Sequence, residues 1–205
     1  MRWLSPLLTC FALTVPSGCG ALSSLSQASA ELSSYTLSPA GSSGTAAAGR
    51  GHLVVELPSS GGALGTDRIL IKPIPFQAQY LPDGQWSEPA PDLVQTLLVA
   101  SFQNLGGFRL VGRTGAGLMP DYTLMTELRD FQAEPDGTED GRFTVTVSTN
   151  MTLIRESDRR IVSSRLFSAT ATVGSDDTLV LVSGFDRALQ TVLQEAVLWT
   201  RAQAG

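Results

Sequence analysis

Two cysteines, one histidine and one lysine are present among 205 residues, and these shortages exclude several kinds of chemistry. Lys72 stands alone, and with scattered arginines the basic residues number 14 against 19 acidic ones, a formal charge of −5. Nucleic acid and anionic lipid surfaces both select clustered Lys and Arg, so neither is an expected partner. His52 is the only imidazole, no Gly-x-Ser-x-Gly elbow accompanies it, and a Ser-His-Asp triad is therefore not expected. Transition-metal sites draw on several thiols and imidazoles, so no metal or cofactor is expected. Beyond the N-terminus no apolar run is long enough for a membrane-spanning helix.

What is present begins with an export signal. Arg2 precedes an apolar run from Trp3 to Val15, followed by Ser17, Gly18 and Cys19. A basic start, a short apolar stretch and small residues make a secretory leader over residues 1–18. Small residues directly before a cysteine also suit cleavage by signal peptidase II, with Cys19 as the lipidated residue. Pro16 departs from the aliphatic residue usual at that place, and the alternative is an ordinary cleaved signal in which Cys19 is incidental. Cys10 leaves with the leader, so a mature chain lipidated at Cys19 has no thiol for a disulfide. Loss of Arg2 takes the charge from −5 to −6. Residues 19–50 are rich in Ser, Ala and Gly and read as a lipidated cysteine and flexible tether, with Tyr35 to Leu37 as an apolar island that can pair as an edge strand.

A single α+β domain is expected over residues 51–205. Strands are predicted at His52–Leu57 and Arg68–Lys72, the second broken by Pro73 and Pro75. Tyr80 to Trp86 reads as a loop around the turn signal Pro82-Asp83-Gly84. A helix beginning near Pro89, Pro91 and Asp92 carries Val94, Leu97, Leu98, Ser101 and Leu105 on one face and stops at Gly106-Gly107. A short strand follows at Phe108–Gly112. Phe143, Val145, Val147, Met151 and Leu153 share one face of a long strand, with Thr144, Thr146, Ser148, Asn150 and Thr152 on the other. Its hairpin mates are Tyr122–Ala133 before and Arg160–Val173 after. A last helix, capped by Ser175-Asp176-Asp177, bears a stripe of Val182, Phe185, Leu189, Val192, Leu193, Ala196 and Trp199. The fold class is an antiparallel β-sheet meander with two amphipathic helices packed on one face.

The remaining polar clusters have plain structural explanations. Glu134, Asp136, Glu139 and Asp140 lack the ordered spacing of a calcium loop and read as a solvated hairpin turn. Gly112 to Gly117 lacks the Lys of a phosphate loop. Tyr80 and Trp86 fall outside both amphipathic stripes. Large aromatics in a loop either anchor a protein partner or fold back as a staple beside the first helix, and both readings stay open.

Several residues together carry a family likeness: Thr66-Asp-Arg-Ile-Leu-Ile, Tyr80, Trp86, Pro89-x-Pro91-Asp-Leu-Val-Gln and Phe108-Arg-Leu-Val. With the lipobox and the order of later elements, the chain resembles the PqiC-like ABC-type transport auxiliary lipoproteins over about residues 33–200. That resemblance implies a non-enzymatic lipoprotein on the periplasmic side of the envelope. Its implied partners are an MCE-domain protein and its ABC transporter, with lipids or other hydrophobic molecules as cargo and a homo-oligomeric ring as a consistent assembly. Gly20 after the lipidated cysteine is compatible with the outer membrane. A free-standing lipid carrier or periplasmic chaperone is the contrasting function, and it requires an apolar pocket between helices and sheet.

Overall fold

Alternation of apolar and hydroxyl side chains builds the centre of the sheet. The computed structural model describes residues 32–41, 49–115, 117 and 119–205, so the leader, Cys19 and most of the expected tether lie outside the described residues. β8 (Phe143–Arg155) pairs antiparallel with β7 (Tyr122–Pro135) and β9 (Arg160–Val173). Its register with β7 runs from Tyr122↔Arg155 to Pro135↔Phe143. Val145, Val147, Met151 and Leu153 are buried, while Thr144, Thr146, Asn150 and Thr152 on the opposite face are half-buried. Ser148 breaks the pattern on the polar face. A register shift in β7 between Leu128 and Asp130 brings the Asp130 carboxylate over it, and the Ser148 hydroxyl donates to that carboxylate.

The other edge of β7 was not foreseen. β2 (His52–Val55), β3 (Ser59–Ser60) and β4 (Arg68–Ile71) pair with it in succession, all parallel. β6 (Leu110–Arg113) adds to β2 in parallel, β5 (Gln79–Trp86) adds to β4 antiparallel, and β1 (Ser33–Tyr35) adds to β5 in parallel. The result is a nine-stranded mixed sheet in an α+β domain. The expected meander is its β7–β8–β9 half. Parallel pairing of β2 with β6 depends on the helical crossover between them, a connection that hairpin reasoning does not consider.

Two segments differ from expectation. Tyr80 to Trp86 is strand, not loop, because its backbone groups find β4 on one side and β1 on the other. Pro82-Asp83-Gly84 is absorbed as an irregularity: Arg68 faces Gln85, yet Leu70 faces Tyr80. Gly84 is there for close approach, since a Cβ on it would sit 2.8 Å from Thr178 Cγ2 and 3.0 Å from the Tyr35 ring. Within the expected tether the apolar island at Tyr35 does pair as an edge strand, β1, and residues 33–41 as a whole belong to the compact unit Leu32–Gly205. Leu37 and Ala40 are buried, and the Ala40 amide donates to Ser101 Oγ at 2.9 Å.

α1 (Ala90–Leu105) has Pro91 in its first turn and ends at Gly106 with φ 71°, as the proline and glycine positions predict. α2 (Thr178–Ala204) is capped by Asp177, whose carboxylate accepts from the Leu179 and Val180 amides at 3.0 and 3.2 Å. Leu181, Phe185, Leu189, Val192, Leu193 and Ala196 bury its inner face. Gly184 lets α2 lie close to the sheet, because a Cβ would meet Val173 Cγ1 at 2.8 Å and Val145 Cγ2 at 2.9 Å. α1 packs on β2, β6 and α2, while α2 covers β8 and β9, so both helices share one continuous core. Neither helix is long and apolar enough to cross a membrane.

Candidate partner-docking site

The hairpin formed by β4 and β5 carries both aromatics singled out in the sequence and separates their roles. At its base, Trp86 is only 1% exposed. Its ring lies 5.4 Å from Phe131 on β7 and 5.1 Å from Phe185 on α2, the second contact edge-on. Its amide donates to the Asp67 carbonyl at 2.6 Å. Trp86 therefore packs the core and presents no surface to a partner, which corrects the expectation of an interface anchor at this position. The structural alternative holds instead: the ring is buried in the same core cluster as Ala90 and Leu93 of α1. The sequence disguised this because the strand character of 79–86 rests in part on β1, which is remote from it in the chain, and because Pro82-Asp83-Gly84 reads as a turn.

Tyr80 lies nearer the tip and is 38% exposed. Its hydroxyl donates to the Ala63 carbonyl at 3.2 Å, and the Arg68 guanidinium lies 5.8 Å from its ring centroid. Arg68 is itself fixed by donating to the Leu81 carbonyl at 3.1 Å. Tyr80 is thus a positioned surface aromatic, held by the Ala63 carbonyl and by Arg68.

Beyond Tyr80 the turn of the hairpin projects two more apolar side chains. Ile74 is 58% exposed and Phe76 fully exposed. Phe76 has φ 67°, left-handed backbone that a bulky side chain rarely adopts. A hydrogen bond of 3.2 Å from the Gln77 amide to the Ile74 carbonyl closes the turn. The loop is tied to β7 through Lys72, whose amide donates to the Ala133 carbonyl at 2.9 Å and whose Nζ lies 3.3 Å from Glu134. The signal for Phe76 in the sequence is an aromatic that follows Pro73 and Pro75 and precedes polar residues, outside either helix stripe.

The acidic turn 134–141 behaves as a turn. Asp136 Oδ1 accepts from the Thr138 hydroxyl at 2.5 Å and the Thr138 amide at 2.9 Å, and these bonds lower its pKa below the usual carboxylate value. Arg142 pairs with Asp140 at 3.1 Å. Among the described residues no group of His, Cys, Asp and Glu assembles that could hold a metal ion.

At the opposite end of the sheet lies a surface cleft of about 1270 Å³, walled by Met119, Tyr122 and Leu198 and crossed by Arg50, Arg155, Arg159 and Arg201. Most of these guanidiniums already have partners. Arg155 makes paired hydrogen bonds to Asp158 at 3.1 and 2.9 Å, which lower the Asp158 pKa. Arg159 meets Glu156 at 3.2 Å, and Arg201 donates to the Leu105 carbonyl at 3.1 Å. The His52 amide donates to Oδ2 of Asp121, a cleft residue, at 2.7 Å. Glu156 also accepts from the Thr123 hydroxyl at 2.6 Å.

Comparison with known proteins gives these features a context. The profile of a family described as ABC-type transport auxiliary lipoprotein component matches residues 35–197. An uncharacterized protein of Bradyrhizobium diazoefficiens is 28% identical over 151 residues, covering 72% of this chain and 39% of the relative. The chain thus spans well under half of that relative's length. A crystal structure of a Xanthomonas campestris protein from family DUF330 superposes with a TM-score of 0.73 at 26% identity, covering 84% of this chain and 96% of the other. A second crystal structure, of an uncharacterized protein, has a TM-score of 0.60 at 19% identity and likewise covers 84% of this chain, a likeness of fold alone.

Proposed function

Given that this chain belongs to the ABC-type transport auxiliary lipoprotein component family, we propose that it is a non-enzymatic docking component of an MCE-type transporter moving lipids or other hydrophobic molecules across the bacterial envelope. Lipid on Cys19 holds it to the periplasmic side of the outer membrane, and the folded domain engages an MCE-domain protein and its ABC transporter, singly or as a homo-oligomeric ring. Three acyl chains anchor stably where a single one would not.

One observation carries this reading: the space between helices and sheet is filled. Trp86, Phe102, Phe131, Phe167, Phe185 and Met151 are each buried to within 2% of complete enclosure, while apolar side chains at the β4–β5 turn are left outside. A domain built this way acts by its surface. The lipid-carrier reading is favoured by the cleft beside Met119 and Leu198, although four arginines, Asp121 and Glu156 also line it.

Crosslinking in living cells, followed by purification of the full-length lipoprotein and mass spectrometry of its partners, tests the proposal. An MCE-domain protein among the crosslinked partners is the expected result. Recovery of bound lipid with no envelope protein would transfer the assignment to a carrier.

A further inference from the structure

The turn between β4 and β5 has properties that folding does not require. Pro73 and Pro75 fix φ on either side of Ile74, and Lys72 pins the start of the loop to β7, so the loop is held in one shape. That shape exposes Ile74 and Phe76, with Phe76 in a left-handed conformation that glycine or asparagine would adopt with less strain. Neither side chain belongs to the core.

The surroundings carry an excess of negative charge. Registers Ile71↔Ala133, Pro135↔Phe143 and Phe143↔Val173 bring the β4–β5 loop, the β7–β8 turn and the start of α2 to the same end of the sheet. Glu134, Asp136, Glu139, Asp140, Asp176 and Asp177 outnumber Lys72 and Arg142 there. Leu179, also exposed, lies at this end.

We propose that Ile74 and Phe76 form the docking tip for a protein partner offering an apolar pocket rimmed by arginine or lysine. This rests on the reading that the chain docks a transport component, and adds the contact point and its chemistry. Preorganised apolar anchors lower the entropy lost on binding, and the carboxylate rim steers a basic partner while repelling acidic ones. A bilayer is the poorer occupant, because the same carboxylates face lipid phosphates as the tip approaches.

The test places a benzophenone amino acid at position 76 of the full-length, lipid-anchored protein in its own envelope, with position 110 on β6 as the control at the other end. Light is expected to join position 76 to a protein segment in which Lys or Arg flanks apolar residues, in clear excess over position 110. Glu139→Lys with Asp140→Lys lowers that yield, and Ile74→Ser with Phe76→Ser lowers recovery of the partner roughly tenfold, as for a lost anchor. An adduct with lipid alone, or none above the control, overturns the proposal. A basic-pocket adduct on a protein unrelated to transport keeps the docking tip and removes the MCE assignment. Undiminished recovery of an MCE-domain protein by the Ile74, Phe76 double variant does the reverse.

Discussion

Trp86 and Phe76 belong to the same hairpin, yet one is sealed in the core and the other stands wholly in solvent. At the base, β5 is paired on both sides and lies under α2, so a large ring there gains burial and two aromatic contacts. Among the described residues no element covers the tip, so the Phe76 ring stays exposed while its backbone is strained. Side-chain type is shared; the difference is what the rest of the chain brings to each place.

The largest expected effect falls on the base. Trp86→Ala removes the ring between Phe131 and Phe185 and should destabilise the domain by about 3–5 kcal/mol in urea unfolding. A loss below about 1 kcal/mol would mean that the core closes over the gap. Gly184→Leu comes next. Its Cβ would press on Val173 and Val145, and overpacking of this kind costs about 1–3 kcal/mol, against a helix-propensity gain near 1 kcal/mol.

The tip should respond in the opposite direction. Phe76→Gly relieves about 1–2 kcal/mol of left-handed strain but loosens the unfolded chain by about 0.4–1 kcal/mol, a net gain of up to about 1.6 kcal/mol. The expected signature is a higher melting temperature combined with weaker partner binding. A lower melting temperature would show the ring stabilising its own loop and erase the contrast with Trp86.

Thr149→Val sharpens the comparison within the core. Thr149 is fully buried between Leu128 and Phe167 in register, and its hydroxyl has no hydrogen-bond partner. Replacing that hydroxyl by a methyl group should stabilise by about 1 kcal/mol. No gain in a denaturation midpoint would point to water satisfying the hydroxyl.

The smallest effect concerns acid. Hydrogen bonds from Arg155 hold the Asp158 pKa below its ordinary 3.8, so the contribution of this pair is present above that value and lost as pH falls through the lowered one. Both side chains are exposed, so Asp158→Asn should flatten the acid limb of a melting-temperature profile only slightly. An unchanged profile would assign the acid response to other carboxylates.

Legibility followed the range of the interactions. β8 could be read because its apolar and polar residues alternate, β9 because it follows β8 across a short turn, and α2 because its stripe and the Asp177 cap are local. The strand at 79–86 was hidden by Pro82-Asp83-Gly84, a turn signal that here became a strand irregularity once β4 and β1 supplied partners. Ser33 to Ala40 looked like tether because small residues contribute little apolar surface, yet Leu37 and Ala40 are buried by elements more than 50 positions away, including Ser101. Of the candidate site, the hairpin could be located in the sequence, but not which of its aromatics faces outward.

By itself, then, the sequence determined the class of element at most positions, the scarcity of metal-binding and catalytic side chains, and the acidic character of the chain, because these depend on composition and on spacing along a few turns. Only the tertiary structure decided the parallel pairing of β2, β3 and β4 along one edge of β7, the enclosure of Trp86 and the exposure of Phe76. Burial is a property of what lies opposite a side chain. For this hairpin the opposite residues come from β7 and α2, far along the chain from both aromatics.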